Sequence, residues 1–178
     1  NAFVPYDLFD PVLRASDDGG ARYVYRTNNR LGFLRFRPDG AVDARGPVVA
    51  RGSEVTRLDD AVSAGDGIVA VGSRVSGRTA EVRVTVTSDA GELRLARVLE
   101  TSSLDEGSPA PTAYRAYGGA VLLWTRGAGA MARVRVAVVA PDGRVLLEPR
   151  DLVSSADSYG RVIAVVRGRS VSLLVRDG

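Results

Sequence analysis

The sequence predicts an all-β protein built from repeated hairpins, on three observations. Residues 132–153 (ARVRVAVVAPDGRVLLEPRDLV) read as two apolar strands around an Asp142-Gly143 turn. Gly tolerates positive φ there, and Asp bonds its local backbone. The same pattern recurs in residues 33–44 (FLRFRPDGAVDA), 82–98 (VRVTVTSDAGELRLARV) and, cut short, 171–178 (VSLLVRDG). The turn glycines Gly40, Gly91 and Gly143 stand 51 and 52 residues apart, and Gly178 follows after 35. Short strands at regular spacing, with no helical periodicity, mark an all-β repeat architecture.

The elements follow in order. Residues 1–10 (NAFVPYDLFD) read as an extended edge strand, where Pro5 is tolerated. The first unit has strands at 11–15 and 22–27, a loop at 16–20, a turn at Asn28-Asn29 and a strand at 31–37. Its outer strand is expected over 41–50, running through Pro47. The second unit begins near Leu58, with strands at 60–64, 68–75, 80–87 and 92–99. A polar loop at 101–109 leads to the third unit, with strands at 111–116 and 120–126 and a turn at 127–130 into the hairpin described first. The fourth unit opens at 154–157, has strands at 162–167 and 170–176, and stops where its outer strand is due.

Four strands per unit of about 50 residues is the blade of a β-propeller. The middle strands, such as 122–125 and 134–139, are apolar at most positions, as expected of a blade buried on both faces. The predicted fold is therefore a single domain over 1–178 of propeller-like, four-stranded antiparallel blades at 11–52, 58–101, 109–153 and 154–178. Two closures are expected alternatives. Either residues 1–10 pair beside 171–175 and complete a four-bladed ring, or the chain is part of a larger ring completed by more chain or a second copy. One detail is out of step. Counted back from the turn aspartate, the apolar positions are Phe36 and Leu34 in the first unit but Val138 and Val136 in the third. A bulge, a different turn length or a misalignment of the units would explain this shift of one residue.

The unit P-x-A-Y…G-G-A-V-L-L-W-T-R…R-V-R-V-A-V-V-A-P-D-G-R-V-L, Pro111 to Leu146, resembles the repeat of secreted bacterial β-propeller proteins. Those repeats run as a Pro-Ala-Val-Ala strand, a Val-Val-Trp strand, a strand ending in Pro-Asp-Gly and an outer strand. The match is best in the third unit and shortest in the fourth. The resemblance implies a fold and an exported or envelope location, and no activity, because such repeats serve many purposes.

Composition narrows the chemistry. All 24 basic residues are Arg, against 21 acidic ones, for a net charge of +3. The arginines are spread along the strands and do not cluster with aromatics, so nucleic acid is not an expected partner. Cys and His are absent, which removes thiol nucleophiles, His-based triads and thiolate or imidazole metal sites. No run approaches the ~20 apolar residues of a membrane-spanning helix. The chain opens on Asn1 and is read as a processed product or part of a longer one.

The expected function is that of a non-catalytic binding or scaffolding module, with other protein subunits as partners and no cofactor. Loops are where a rigid scaffold carries function, so the partner surface is expected on loops 16–20, 65–67, 101–109 and 154–157. The candidate residues are Asp17, Asp18, Asp66, Asp105, Glu106, Asp157 and, on an inner strand, Tyr114 and Arg115. Asp17, Asp18, Asp59, Asp60 and Asp66 offer oxygen ligands of the kind Ca²⁺ takes, but turn chemistry accounts for them better. The alternative is a carbohydrate-active propeller, lectin or glycoside hydrolase. Hydrolysis needs two carboxylates across a cleft, and nothing in the spacing of Asp59, Asp60, Asp66, Glu106 and Asp157 selects a pair. Trp124 with Tyr114 and Tyr117 would make a sugar platform. Trp124 is expected in the core instead, because it sits in the apolar strand LLWT, and with Tyr25, Gly72 and Val166 at the equivalent places no aromatic recurs in every blade as a lectin would need. Arg115, with Arg14 as its expected counterpart in the first unit, is a candidate anion contact at a channel mouth.

Overall fold

The structure is a computed structural model that describes residues 9–16, 18–116, 118–127, 132–153, 162–167 and 170–175. Three four-stranded antiparallel sheets follow one another, each a simple meander. Sheet 1 holds β1 (Phe9–Ala15), β2 (Ala21–Thr27), β3 (Arg30–Phe36) and β4 (Val48–Val49). Sheet 2 holds β5 (Asp60–Ala64), β6 (Gly67–Ser76), β7 (Thr79–Ser88) and β8 (Leu93–Ser103), and sheet 3 holds β9 (Thr112–Ala116), β10 (Gly119–Arg126), β11 (Arg133–Val139) and β12 (Val145–Val153). The antiparallel pair β13 (Val162–Arg167) and β14 (Ser170–Val175) follows. The predicted all-β class and the order of hairpins stand. No closed ring is seen among the described residues, and the predicted pairing of residues 1–10 with 171–175 lies mostly outside them.

Local chemistry explains the hairpins. Asn28 and Asn29 both have positive φ, 47° and 57°, as a two-residue hairpin with type I′ geometry requires. The three outer turns share one pattern. Arg37, Ser88 and Ala140 each donate their N–H to the carbonyl four residues on, at 2.8, 2.9 and 2.8 Å, and the turn glycine donates back. Because these turns are equal in length, the phase difference has another origin. Phe36 corresponds to Thr87 and Val139, and Arg35 to Val86 and Val138. Both faces of the middle strands are buried, so neither face must stay polar and either can carry the larger apolar side chains. Sheet 1 uses this latitude to place arginines where the others have valine.

A glycine opens the second strand of each sheet or immediately precedes it. A Cβ at Gly20, Gly67 or Gly119 would stand 2.1, 2.0 or 2.3 Å from the carbonyl oxygen of Phe36, Thr87 or Val139. These contacts align the three sheets residue by residue. By that alignment and the pairing of Ala15 with Ala21 and Arg115 with Ala120, Arg115 corresponds to Ala15, and the expected equivalence of Arg115 with Arg14 is corrected. The longer loop after β1 displaced the sequence comparison by one residue. The outer strand of the first unit is also corrected. Only a bridge at Val42 and the two residues of β4 pair with β3, because the chain turns at Asp43–Gly46 and Pro47 lacks a donor.

The sheets stack face to face. Val24, Leu31 and Phe33 of sheet 1 pack on Ala61, Ile68 and Ala70 of sheet 2. Val69, Val71, Val84 and Val86 of sheet 2 pack on Ala120, Leu122, Trp124 and Val139 of sheet 3. The far face of sheet 3 is apolar again, with Val121, Leu123, Val134 and Val136 buried. First strands are neighbours, β1 beside β5, β5 beside β9 and β9 beside β13, in a propeller-like order. The free edges of β5 and β9 are satisfied by side chains from the preceding sheet. Arg14 Nε donates to the Ala61 carbonyl at 3.0 Å, and Asp60 Oδ2 accepts from the Ala113 N–H at 3.0 Å, while Asp60 Oδ1 accepts from Arg14. The buried Arg22 forks onto Asp89 of sheet 2 at 3.1 and 2.7 Å. Arg35 lies 3.7 Å from the same carboxylate and 3.6 Å from Asp43.

Candidate functional site

The candidate loops do not form one surface. In a four-stranded meander, the loop after the first strand and the loop after the fourth fall at opposite ends. Loops 16–20 and 65–67 therefore share one end, and the segment after β8 lies at the other. That segment is also corrected. Residues 101–103 continue β8, and a single 3-10 turn, Leu104–Glu106, follows. Ser103 caps it by accepting from the Asp105 N–H at 3.2 Å, and Leu104 N donates to the Arg78 carbonyl at 2.8 Å. The turn is thus anchored to the β6–β7 hairpin and holds Asp105 and Glu106 over the ends of β10 and β11.

There the structure forms a groove of about 480 Å³ lined by Asp105, Glu106, Arg126, Gly127, Arg133, Arg135 and Asp151. Arg126 bridges its floor and wall, with Nε 2.9 Å from Glu106 and Nη1 3.0 Å from Glu100. Glu100 is nearly buried and accepts the Trp124 indole N–H at 2.5 Å. Arg135 stands 3.6 Å from Glu100 and donates to Asp151 at 2.9 Å; Arg133 donates to the other oxygen of Asp151 at 2.9 Å. Exposure rises outwards, from 8% at the Glu100 side chain to 48% at Arg133. The groove therefore offers its charges with their partners already in place. Arg133 and Arg135 fall on one face of β11 because strand side chains alternate.

The Arg133 hydrogen bond holds the Asp151 carboxyl below its ordinary value of 3.8, and the Glu106 hydrogen bond raises Arg126. Other aspartates are lowered too: Asp18 by the Ser16 hydroxyl, Asp43 and Asp66 by Arg45 and Arg94, and Asp142 by the Arg144 backbone N–H. With folded values below unfolded ones, the folded chain binds fewer protons in acid. The stability these groups contribute is present above the ordinary carboxylate range and lost as pH falls through the lowered values. Melting temperatures between pH 2 and 7 are expected to plateau above about pH 5 and fall below about pH 4, and a rise on acidification would contradict the assignment.

Of the predicted residues, Asp105 and Glu106 reach the groove. Asp18 accepts from Ser16 and from the Gly20 N–H inside its own loop, and Asp66 pairs with Arg94 at 2.6 and 2.7 Å at the opposite end. Tyr114 packs, half-buried, on the apolar face of sheet 3, and Arg115 is exposed on β9. Asp17, Tyr117 and Asp157 lie outside the described residues. Asp59 accepts from Ser73 and pairs with Arg57, so of the acidic residues considered for Ca²⁺, Asp18, Asp59, Asp60 and Asp66 each have a structural partner. No group of three or more acidic side chains able to hold a metal occurs among the described residues. Trp124 is 3% exposed within the sheet 2–sheet 3 core, as expected. Its counterpart Gly72 has no room for a side chain, since a Cβ would stand 1.8 Å from the Arg57 carbonyl.

Sequence reading missed Glu100, Arg126, Arg133, Arg135 and Asp151. The alternating Arg133-x-Arg135, facing Asp151 in the next strand, was the available signal.

No protein-family model matches the chain, and no curated protein is similar to it. Among solved structures it is similar to a mutant GH32 beta-fructofuranosidase of Bombyx mori in complex with sucrose, at 15% identity and a TM-score of 0.43. The match covers 87% of this chain and 39% of that one.

Proposed function

We propose that the chain is a non-catalytic binding module whose sheets are blades of a β-propeller, and that the groove between sheets 2 and 3 docks a mixed-charge segment of a partner protein. The carrying observation is the pairing inside the groove. Glu100 and Glu106 are bridged by Arg126, and Asp151 by Arg133 and Arg135. A glycosidase must keep one carboxyl protonated near neutral pH, whereas the Arg133 hydrogen bond lowers the Asp151 carboxyl. Paired charges at the mouth of a groove serve recognition instead. A partner's Arg and Glu side chains exchange into existing ion pairs, which sets register and specificity more than raw affinity. The exported, subunit-like setting rests on the resemblance of the repeat to secreted propeller proteins.

The test is binding of fluorescent ten-residue peptides, alternating Glu and Arg against neutral Ser and Gln, measured by anisotropy. The charged peptide is expected to bind, with affinity falling at least about tenfold in Arg133→Glu, the size expected for a groove charge partly released from water. Equal binding of both peptides, or an unchanged Arg133→Glu, refutes the reading. Melting scans with added sugars test the carbohydrate alternative. A sugar-dependent rise retained in the groove variant would favour it, since a ligand that binds only the folded state stabilises it.

A further inference from the structure

The charges at the groove between sheets 2 and 3 form one continuous chain of alternating sign. Its order is Glu106, Arg126, Glu100, Arg135, Asp151, Arg133, with successive groups 2.9, 3.0, 3.6, 2.9 and 2.9 Å apart. Each of the four inner groups has an opposite charge on both sides. The middle is the most buried, with the Glu100 and Arg135 side chains 8% and 16% exposed. The two ends differ. Among the described residues, Glu106 has only Arg126 as a charged partner and Arg133 only Asp151, and their side chains are 38% and 48% exposed. Asp105 stands beside Glu106 on the same turn, where its carboxylate accepts from the Ser103 hydroxyl at 3.3 Å. The chain of charges therefore has an acidic end on the turn after β8 and a basic end on β11.

We infer that the groove takes a two-signed segment in one fixed polarity, its cation at Glu106 and Asp105 and its anion at Arg133. This rests on the docking function proposed above and assigns each sign its place. An inner group can accept a ligand charge only by giving up a partner it already has, in a half-buried setting where an unpaired charge is costly. The end groups have capacity left. A carboxylate accepts through two oxygens and a guanidinium offers five N–H donors, and each end uses only part of its set. A cation at Glu106 and an anion at Arg133 extend the alternation by one charge at each end, while the inner links stay closed. A segment of a single sign satisfies one end and meets its own sign at the other.

Anisotropy with three fluorescent peptides tests the polarity: a mixed peptide with Arg at one end and Glu at the other, the same peptide with Glu replaced by Gln, and the same with Arg replaced by Gln. The mixed peptide is expected to bind tightest. Glu106→Gln is expected to weaken the mixed and Arg-only peptides about fivefold, the upper end for a half-exposed pair, and to leave the Glu-only peptide no weaker. Arg133→Gln is expected to weaken the mixed and Glu-only peptides and spare the Arg-only one. Arg97→Gln and Glu148→Gln remove the same charges from an exposed pair between β8 and β12, outside the groove lining, and are expected to change none of the three. The polarity is overturned if both end variants weaken all three peptides alike, if the two control variants weaken them as much, or if a single-signed peptide binds as tightly as the mixed one. Docking in the groove then stands or falls separately, on Arg133→Glu. A mixed peptide that does not bind refutes the docking function and the polarity together.

Discussion

Replacing Trp124 by alanine is expected to destabilise the folded chain by about 3–5 kcal/mol, the range for removing a large buried aromatic. The indole is 3% exposed and fills the seam between sheets 2 and 3, against Val69, Val71 and Val84. No neighbour is placed to refill the space, because the facing positions are short valines held in paired strands. Trp124→Phe separates packing from polarity. It keeps a ring but leaves one Glu100 oxygen without the indole N–H, so a loss of about 1–3 kcal/mol is expected from the hydrogen bond to a charged acceptor. Urea unfolding followed by circular dichroism is the measurement, since the chain has a single Trp and fluorescence is lost with it. A loss under about 1 kcal/mol for the alanine variant would place the ring at the surface and restore the sugar-platform reading.

A second large effect is expected at Gly67. The Cβ of Gly67→Ala would lie 2.0 Å from the Thr87 carbonyl oxygen, well inside contact distance. Both backbones belong to paired central strands, so neither can retreat without breaking the β6–β7 ladder. The loss is expected to exceed the 1–3 kcal/mol usual for overpacking and to leave little folded protein at 37 °C. Gly77→Ala is the contrast. Gly77 has φ 58° in an open hairpin with nothing within 4 Å of its Cβ, so only the left-handed backbone penalty of about 1–2 kcal/mol applies. Soluble expression and thermal melting of the two variants check this. Equal stability of Gly67→Ala and Gly77→Ala would show that the close approach does not govern this position.

The sequence alone determined most of the strands, their order in successive hairpins and the burial of both faces of the middle strands, but not the outer strand of the first unit or the end of β8. Those features rest on local chemistry. Asp-Gly and Asn-Asn turns favour hairpins, alternating Val and Arg favours strands, and unbroken Val-Leu runs favour strands buried on two sides. Trp124 was readable as a core residue for the same reason, because it stands in the apolar run Leu122-Leu123-Trp124. The position of the site was a tertiary matter. Whether a loop joins its neighbours depends on which end of a sheet it leaves, and that placed Asp18 and Asp66 away from Asp105 and Glu106. The groove joins residues from β8, the Leu104–Glu106 turn, β10, β11 and β12, far apart in the chain, and its arginines read in sequence as ordinary solvent-facing strand positions. The buried Arg22 and Arg35 show the same limit. Valine would serve there as in the other sheets, and arginine is tolerated only because Asp89 of the next sheet lies opposite, a pairing that exists only once two sheets stack.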